Sequence, residues 1–380
     1  MLRAISNAAR VSLVTLAGLV LFAGGGGAQE ARPTPSGGNG TLYIGSYSKE
    51  ILIIDEATEQ VTGTIPVKVG IPRRVTLSQD LKRFYVISAT SEDVEILDIA
   101  TRKTVDQFRL SEGNKTVRIS SVAPDPLGRY VIMITKTTTK LQDRFEIGTA
   151  MLQQFDLKEH KITRTIPWPD GQEREQANLL FSPDGKLLYF LANEVLIFET
   201  ENFTQVDKWD MSNVEEGLGQ AAVNFGGFGG ADTVNDEPGF FTTTMTITDP
   251  IQHRQLMGIA KINLAAKTNE FYTIGPAGGV SFSLAADRKH GFGMESAIGR
   301  YQFWTFDLVN RRVTTRAEFE GRPRMAMKPS TNSQLLYVFQ AGNTIDVYDV
   351  ATYRYLRTIT LAGDETSTLF VIPQRPANRP

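Results

Sequence analysis

An apolar residue followed by an acid or amide recurs seven times along this chain, at Asp55, Asp98, Asp156, Glu199, Asn263, Asp307 and Asp349. A short turn and then a β-rich stretch follow each one. Successive positions lie 43, 58, 43, 64, 44 and 42 residues apart. A base period of about 43, lengthened twice, marks a repeat protein whose single supersecondary unit buries its apolar faces against its neighbours. Each unit reads as four short strands, A to D from the centre outward. The expected fold is therefore all-β, a seven-bladed β-propeller.

One unit shows the pattern clearly. Ser182-Pro183-Asp184-Gly185 suits a type I turn between strands A and B. Leu187–Leu191 reads as strand B, Val195–Glu199 as strand C and Thr204–Trp209 as strand D. The order recurs over Val75–Leu110 and Met325–Leu361, with Ser78-Gln79-Asp80 and Lys328-Pro329-Ser330 in the place of the A–B turn. Segment 41–67 carries B, C and D but no A, whereas Thr366–Pro373 alternates like a lone strand A. Together they make one blade, closing the ring between the N- and C-terminal segments and leaving no unpaired inner edge. The acid ending each strand C is expected to accept hydrogen bonds from turn amides. Glu199 and Asn263 replace Asp there, as a local acceptor allows and a general base does not.

The segments outside the repeats divide readily. Residues 1–28 read as a secretory signal: Arg3 and Arg10 start it, Val11–Ala23 is apolar, and Gly26-Gly27-Ala28 offers small residues for cleavage. An uncleaved anchor is the alternative, but the apolar stretch is short against the roughly 20 residues that a membrane span needs. The expected location is periplasmic or secreted, with no stable membrane span after cleavage. Residues 29–40, rich in Pro, Gly and Ser, read as a flexible linker, 41–373 as the propeller and 374–380 as a tail.

Composition excludes several chemistries. The chain has no Cys, so it has no disulfide, no cysteine nucleophile, no iron–sulfur cluster and no c-type haem attachment. Its three His, at 160, 253 and 290, fall in different repeats without a metal-ligand spacing. A net charge of −2 is no nucleic-acid signature. Gly226-Gly227-Phe228-Gly229-Gly230 lacks the Lys and the helix of a phosphate loop. No catalytic residue, metal or cofactor is expected.

A binding site is expected where the pattern is broken. The second unit carries its excess at Thr135–Ala150, between B and C. The fourth carries Thr246–Met257 in the same place and a long Gly-rich A–B connection at Gly226–Glu237. Extra length on a regular scaffold is where binding residues concentrate. Because successive strands alternate in direction, B–C and D–A connections share one face. On that face the D–A connections bring Arg73, Arg74, Arg118, Arg322 and Arg324 towards the channel mouth, a basic arc suited to carboxylates or phosphates. Arginines paired across blades with acids such as Glu112, Asp364 and Glu365 are the alternative. From the insertions, Arg144, Phe145 and His253 are expected to touch a protein partner or a small acidic ligand.

The words Leu42-Tyr43-Ile44-Gly45-Ser46, Val94-Glu95-Ile96-Leu97-Asp98-Ile99-Ala100-Thr101 and Ser182-Pro183-Asp184-Gly185-Lys186 resemble those of the YVTN and quinoprotein amine dehydrogenase β-chain-like propellers. A closer likeness is to the β subunit of quinohemoprotein amine dehydrogenase, whose second and fourth blades are similarly extended. Leu141–Ile147 resembles the first of those extensions, and Phe240–Thr244 with Asp249-Pro250 the second. The resemblance covers 41–373. It implies a propeller without a redox centre, with cofactors held on partner subunits, so no catalytic residue carries over. A stand-alone propeller enzyme such as a lactonase-like hydrolase is the competing class. It needs acid–base groups converging on the mouth.

Overall fold

The computed structural model describes residues 35–374, apart from 170, 176, 192, 193, 211–231, 250, 324, 340 and 341. The signal stretch, the Gly226–Gly230 run, Arg324 and residues 375–380 therefore lie outside the described residues. Among those described there is no helix.

Strands follow one another as antiparallel neighbours, numbered here in chain order. The first sheet holds β1 (Thr41–Ser46), β2 (Glu50–Asp55) and β3 (Gln60–Pro66). The next comprises β4 (Pro72–Leu77), β5 (Arg83–Ser88), β6 (Asp93–Asp98) and β7 (Lys103–Arg109). Then come β8 (Lys115–Pro124), β9 (Tyr130–Lys140), β10 (Phe145–Asp156) and β11 (Lys161–Ile166). The fourth sheet is β12 (Asn178–Phe181), β13 (Leu187–Leu191), β14 (Glu194–Glu199) and β15 (Gln205–Asp210). A three-stranded sheet follows, of β16 (Phe240–Thr248), β17 (Gln255–Asn263) and β18 (Thr268–Pro276). Next are β19 (Val280–Leu284), β20 (His290–Ala297), β21 (Arg300–Asp307) and β22 (Arg312–Glu318). The last consecutive sheet is β23 (Ala326–Pro329), β24 (Leu335–Phe339), β25 (Thr344–Asp349) and β26 (Tyr355–Thr360). Finally β27 (Phe370–Ile372) pairs with β1, Leu42 facing Val371.

Strand alternation explains how the sheets pack. Successive side chains of a strand point to opposite faces, and each middle strand is apolar on both. In β2, Ile51 and Ile53 pack with Phe84 and Val86 of β5, while Leu52 and Ile54 pack with Tyr337 and Val347. In β13, Leu188 and Phe190 join Ile132 and Ile134, while Tyr189 and Leu191 join Phe241 and Met245. Each apolar cluster thus joins two successive sheets, and one joins β24 and β25 to β1 and β2. Outermost strands such as β7 are half exposed, with the alternation of a one-sided surface.

The turn after each third strand is built alike. Asp55, Asp98, Asp156, Glu199, Asn263, Asp307 and Asp349 all accept from backbone N–H groups two to five residues on. Four residues after each, Glu59, Arg102, His160, Phe203, Lys267, Arg311 and Tyr353 take a left-handed φ of 50–58°. Side-chain donors, from Thr58 to Asp55 and from Asn310 to Asp307, together with the turn amides hold Asp55, Asp98, Glu199 and Asp307 below the usual carboxylate range.

Four expectations are corrected. The turn in the last consecutive sheet is Ser330–Ser333, closed by the Ser333 amide on the Ser330 carbonyl, because Pro329 still belongs to β23. Thr246–Met257 is a connection only between Thr248 and Gln255: β16 runs to Thr248 and β17 begins at Gln255, since Thr and apolar residues alternate there. The second-unit excess is a continuation of β8, β9 and β10 into a three-stranded ribbon. Lastly, residues 35–37, inside the stretch read as linker, are bonded to the folded chain. The Pro35 carbonyl accepts from Arg357, and those of Ser36 and Gly37 from Asn332 and Thr331.

Glu56 fastens that segment. It is 0 % exposed. One carboxylate oxygen accepts from Thr331 N (2.8 Å) and the Tyr337 hydroxyl (3.3 Å). The other accepts from Gly40 N (2.7 Å) and the Thr331 hydroxyl. Beside it, Arg357 and Glu59 form an ion pair.

Candidate functional site

Arg73 and Arg74 lie in β4 and Arg118 in β8, within strands rather than in the connections that precede them. Their side chains line one cavity of about 350 Å³, with Lys136 of β9 and Glu175. Register explains the crowding. Arg118 stands directly opposite Lys136 across the β8–β9 pair, where like charges oppose each other. Lys136 is offset by Glu175 at 2.8 Å. Arg74 donates to the Ser120 carbonyl. Its pKa is pushed down by burial, and further by the charges of Arg73 and Arg118. Among the described lining residues four cations face one carboxylate. Ser91, Ser120 and Thr138 add hydroxyls to the wall, and Ile134, Ile147 and Ala150 add apolar surface. Such a site suits an anion, which guanidinium groups bind through paired N–H donors.

The remaining sequence candidates are placed elsewhere. Arg322 donates to the Thr344 hydroxyl (3.1 Å), and its carbonyl accepts from Ser296; it ties β25 to the end of β20 and is not in the cavity wall. Arg324 lies outside the described residues. Arg144 caps the ribbon, paired with Asp143 (3.2 Å) and Glu146 (3.0 Å). Phe145 is 65 % exposed beside it. His253 sits in the β16–β17 turn with a φ of 52°. Among the described residues no ion pair joins Glu112 or Asp364 to an arginine; the Glu112 backbone pairs with Lys115, and the Asp364 carbonyl accepts from Tyr47. Lys136 and Glu175 carry no motif. The signal that points to Lys136 is its register opposite Arg118.

Two other cavities are chemically different. One of about 320 Å³ is lined by innermost strands, with Thr76, Thr243, Ser281 and Ser283 in its wall and Lys328 paired to Asp232 at 3.2 Å. The second, of about 270 Å³, holds Asp236, Lys261, Tyr272, Arg288 and Arg311. Burial pushes Asp236 up to about 6 and Tyr272 up to about 12. Asp236 accepts from Thr242 N at 3.0 Å. The residues lining it do not overlap those of the arginine cavity.

Searches for related proteins bear mainly on the fold. No family model matches the chain. Antigen Lp49 of Leptospira interrogans is 23% identical over 196 residues, 47% of this chain and 40% of that protein. The chain thus matches less than half of that relative's length. The dihydro-heme d1 dehydrogenase NirN, in complex with DHE, superposes with a TM-score of 0.51 at 12% identity, over 90% of this chain and 77% of that one. AztD from Citrobacter koseri superposes with a TM-score of 0.51 at 11% identity, over 88% of this chain and 98% of apo AztD. Likeness at such identity defines the fold alone. With the all-β sheets described above, the chain is a β-propeller. Among the described residues no helix is long and apolar enough to cross a membrane.

Proposed function

We propose that this chain is an exported, non-catalytic propeller of seven blades, closed by β27 on β1. It serves as a scaffold that binds an acidic ligand or the acidic surface of a protein partner. One observation carries the reading: Arg73, Arg74 and Arg118 crowd one cavity whose carboxylate, Glu175, is bonded to Lys136. Holding like charges together costs stability unless an anion offsets them, and positions that break such local rules mark functional sites. Seven sheets joined in succession by apolar clusters support the blade count. The apolar stretch and small residues before position 29 support export to the periplasm. The repeat words support a role like that of a β-type subunit in an amine-dehydrogenase-like complex.

The test is isolation of the tagged chain from the periplasm at low salt, beside an Arg73→Ala/Arg118→Ala variant. Arg74 is left in place because it bonds Ser120. The parent should retain an acidic protein or small anion that the variant lacks. Salt should release it, since exposed charges are screened beyond about 8 Å at physiological ionic strength. If the variant folds and keeps everything the parent holds, the site lies elsewhere. If the variant unfolds, these arginines tie the blades together.

A further inference from the structure

The ribbon that rises beside the arginine cavity is two-faced, and one face continues the cavity wall. Residues directly opposite each other in an antiparallel pair share a face, and residues two apart along a strand do too. Arg118 faces Lys136, Lys136 faces Ala150, Thr138 faces Ile147, and Lys140 faces Phe145. One face of the ribbon therefore carries Arg118 and Lys136 at its base and, beyond them, the apolar Ile147 and Phe145 beside Thr138 and Lys140. From Lys136 to Lys140 the strand advances roughly 13 Å. Ile147 lines the cavity yet is 70 % exposed, and Phe145 beyond it is 65 % exposed. Large apolar side chains left in water beside a cluster of four cations and one carboxylate are complementary to a molecule with both characters.

We propose that the ligand of this site is a small amphiphilic anion. Its carboxylate or phosphate head is held by Arg73, Arg74 and Arg118, and its apolar body lies along Ile147 towards Phe145. The cavity of about 350 Å³ falls in the size range of small-molecule sites. Ser91 and Thr138 line the same cavity. This rests on the arginine site proposed above and adds the ligand's class.

The experiment is calorimetric titration of the folded chain with acetate, octanoate, inorganic phosphate and octyl phosphate at low salt. Each methylene taken out of water is worth about fourfold in affinity. Octanoate should bind on the order of tenfold to a hundredfold more tightly than acetate, and octyl phosphate should exceed phosphate likewise. A Phe145→Ser/Ile147→Ser variant should lose most of that chain-length gain, read as the ratio of octanoate to acetate affinity. Both residues are exposed, so its melting temperature should not move. Arg118→Ala should weaken all four ligands. If short and long anions bind equally, and Arg118→Ala weakens both, the arginine site stands and the amphiphilic ligand is refuted. If the serine variant keeps the full chain-length gain, the apolar body does not lie on the ribbon and the proposal falls. If none of the four binds, both the ligand class and a small-anion site are refuted.

Discussion

Replacing Glu56 by Ala tests the seam between the first sheet and the β23–β26 sheet. The Thr331 hydroxyl keeps the Gly37 carbonyl at 3.2 Å after the change. The amides of Gly40 and Thr331 and the Tyr337 hydroxyl lose their acceptor. Each orphaned buried donor costs about 1–3 kcal/mol, giving a gross loss of about 3–9 kcal/mol. Against this, the variant no longer buries a carboxylate. That relief is real, because burial raises the pKa of Glu56 despite its hydrogen bonds. We expect a net loss of about 2–4 kcal/mol near neutral pH. The pH dependence has a definite sign. A carboxyl whose pKa is raised on folding stabilises the native state most when protonated. Its contribution is full below the unfolded pKa and declines as pH rises through the folded one. The gap between parent and variant should therefore narrow from acid to neutral pH. Urea unfolding followed by tryptophan fluorescence across that range reads both quantities. A gap below about 0.5 kcal/mol throughout, or one that widens with pH, refutes the argument.

Three further outcomes follow from the same physics. Asp236→Asn keeps an acceptor for Thr242 but removes a carboxyl raised from 3.8 to about 6. The parent should lose up to about 3 kcal/mol of stability as pH rises through this interval, and the variant should not, as pH-dependent urea melts will show. Ser333 adopts a φ of 57°, as Leu81 and Arg288 do in two sister turns, where two others carry Gly128 and Gly185. Ser333→Gly should gain about 0.5–1 kcal/mol, seen as a higher midpoint in thermal unfolding. Removing residues 366–380 takes away β27 and the acceptor that Ser367 offers to Gly45 N. Light scattering and calorimetry should show aggregation or loss of a cooperative transition; an unchanged melting temperature would contradict the closure of that sheet.

The parts legible in the sequence were those governed by local physics. The acid or amide ending each third strand announced itself because the donors it accepts from lie within five residues. Strands B and C of the fourth sheet were readable from unbroken apolar runs, which a strand buried on both faces requires. What failed depended on register. Arg73, Arg74 and Arg118 could be gathered by strand direction alone. Lys136 could not, because Thr135–Ala150 read as loop, and only strand pairing sets Lys136 against Arg118. The connection read at Thr246–Met257 is shorter, because the alternating residues at both its ends extend β16 to Thr248 and start β17 at Gln255. Glu56 did carry a signal. After the acid or amide, the other units place Ile99, Leu157, Thr200, Leu264, Leu308 and Val350. An acid in that otherwise uncharged place marks a buried tie.

The pairing of β27 with β1 has a consequence in time. Gly45 and its acceptor Ser367 are 322 residues apart, so the first strands to be synthesised wait for nearly the last. Until then the inner edge of β1 stands open, a template for any stray strand. Contacts this distant in sequence also form slowly. Damage near the C-terminus is therefore felt first by the opening strands. A fusion or tag that hinders Phe370–Ile372 would leave the oldest part of the chain unfinished while the sheets between them fold.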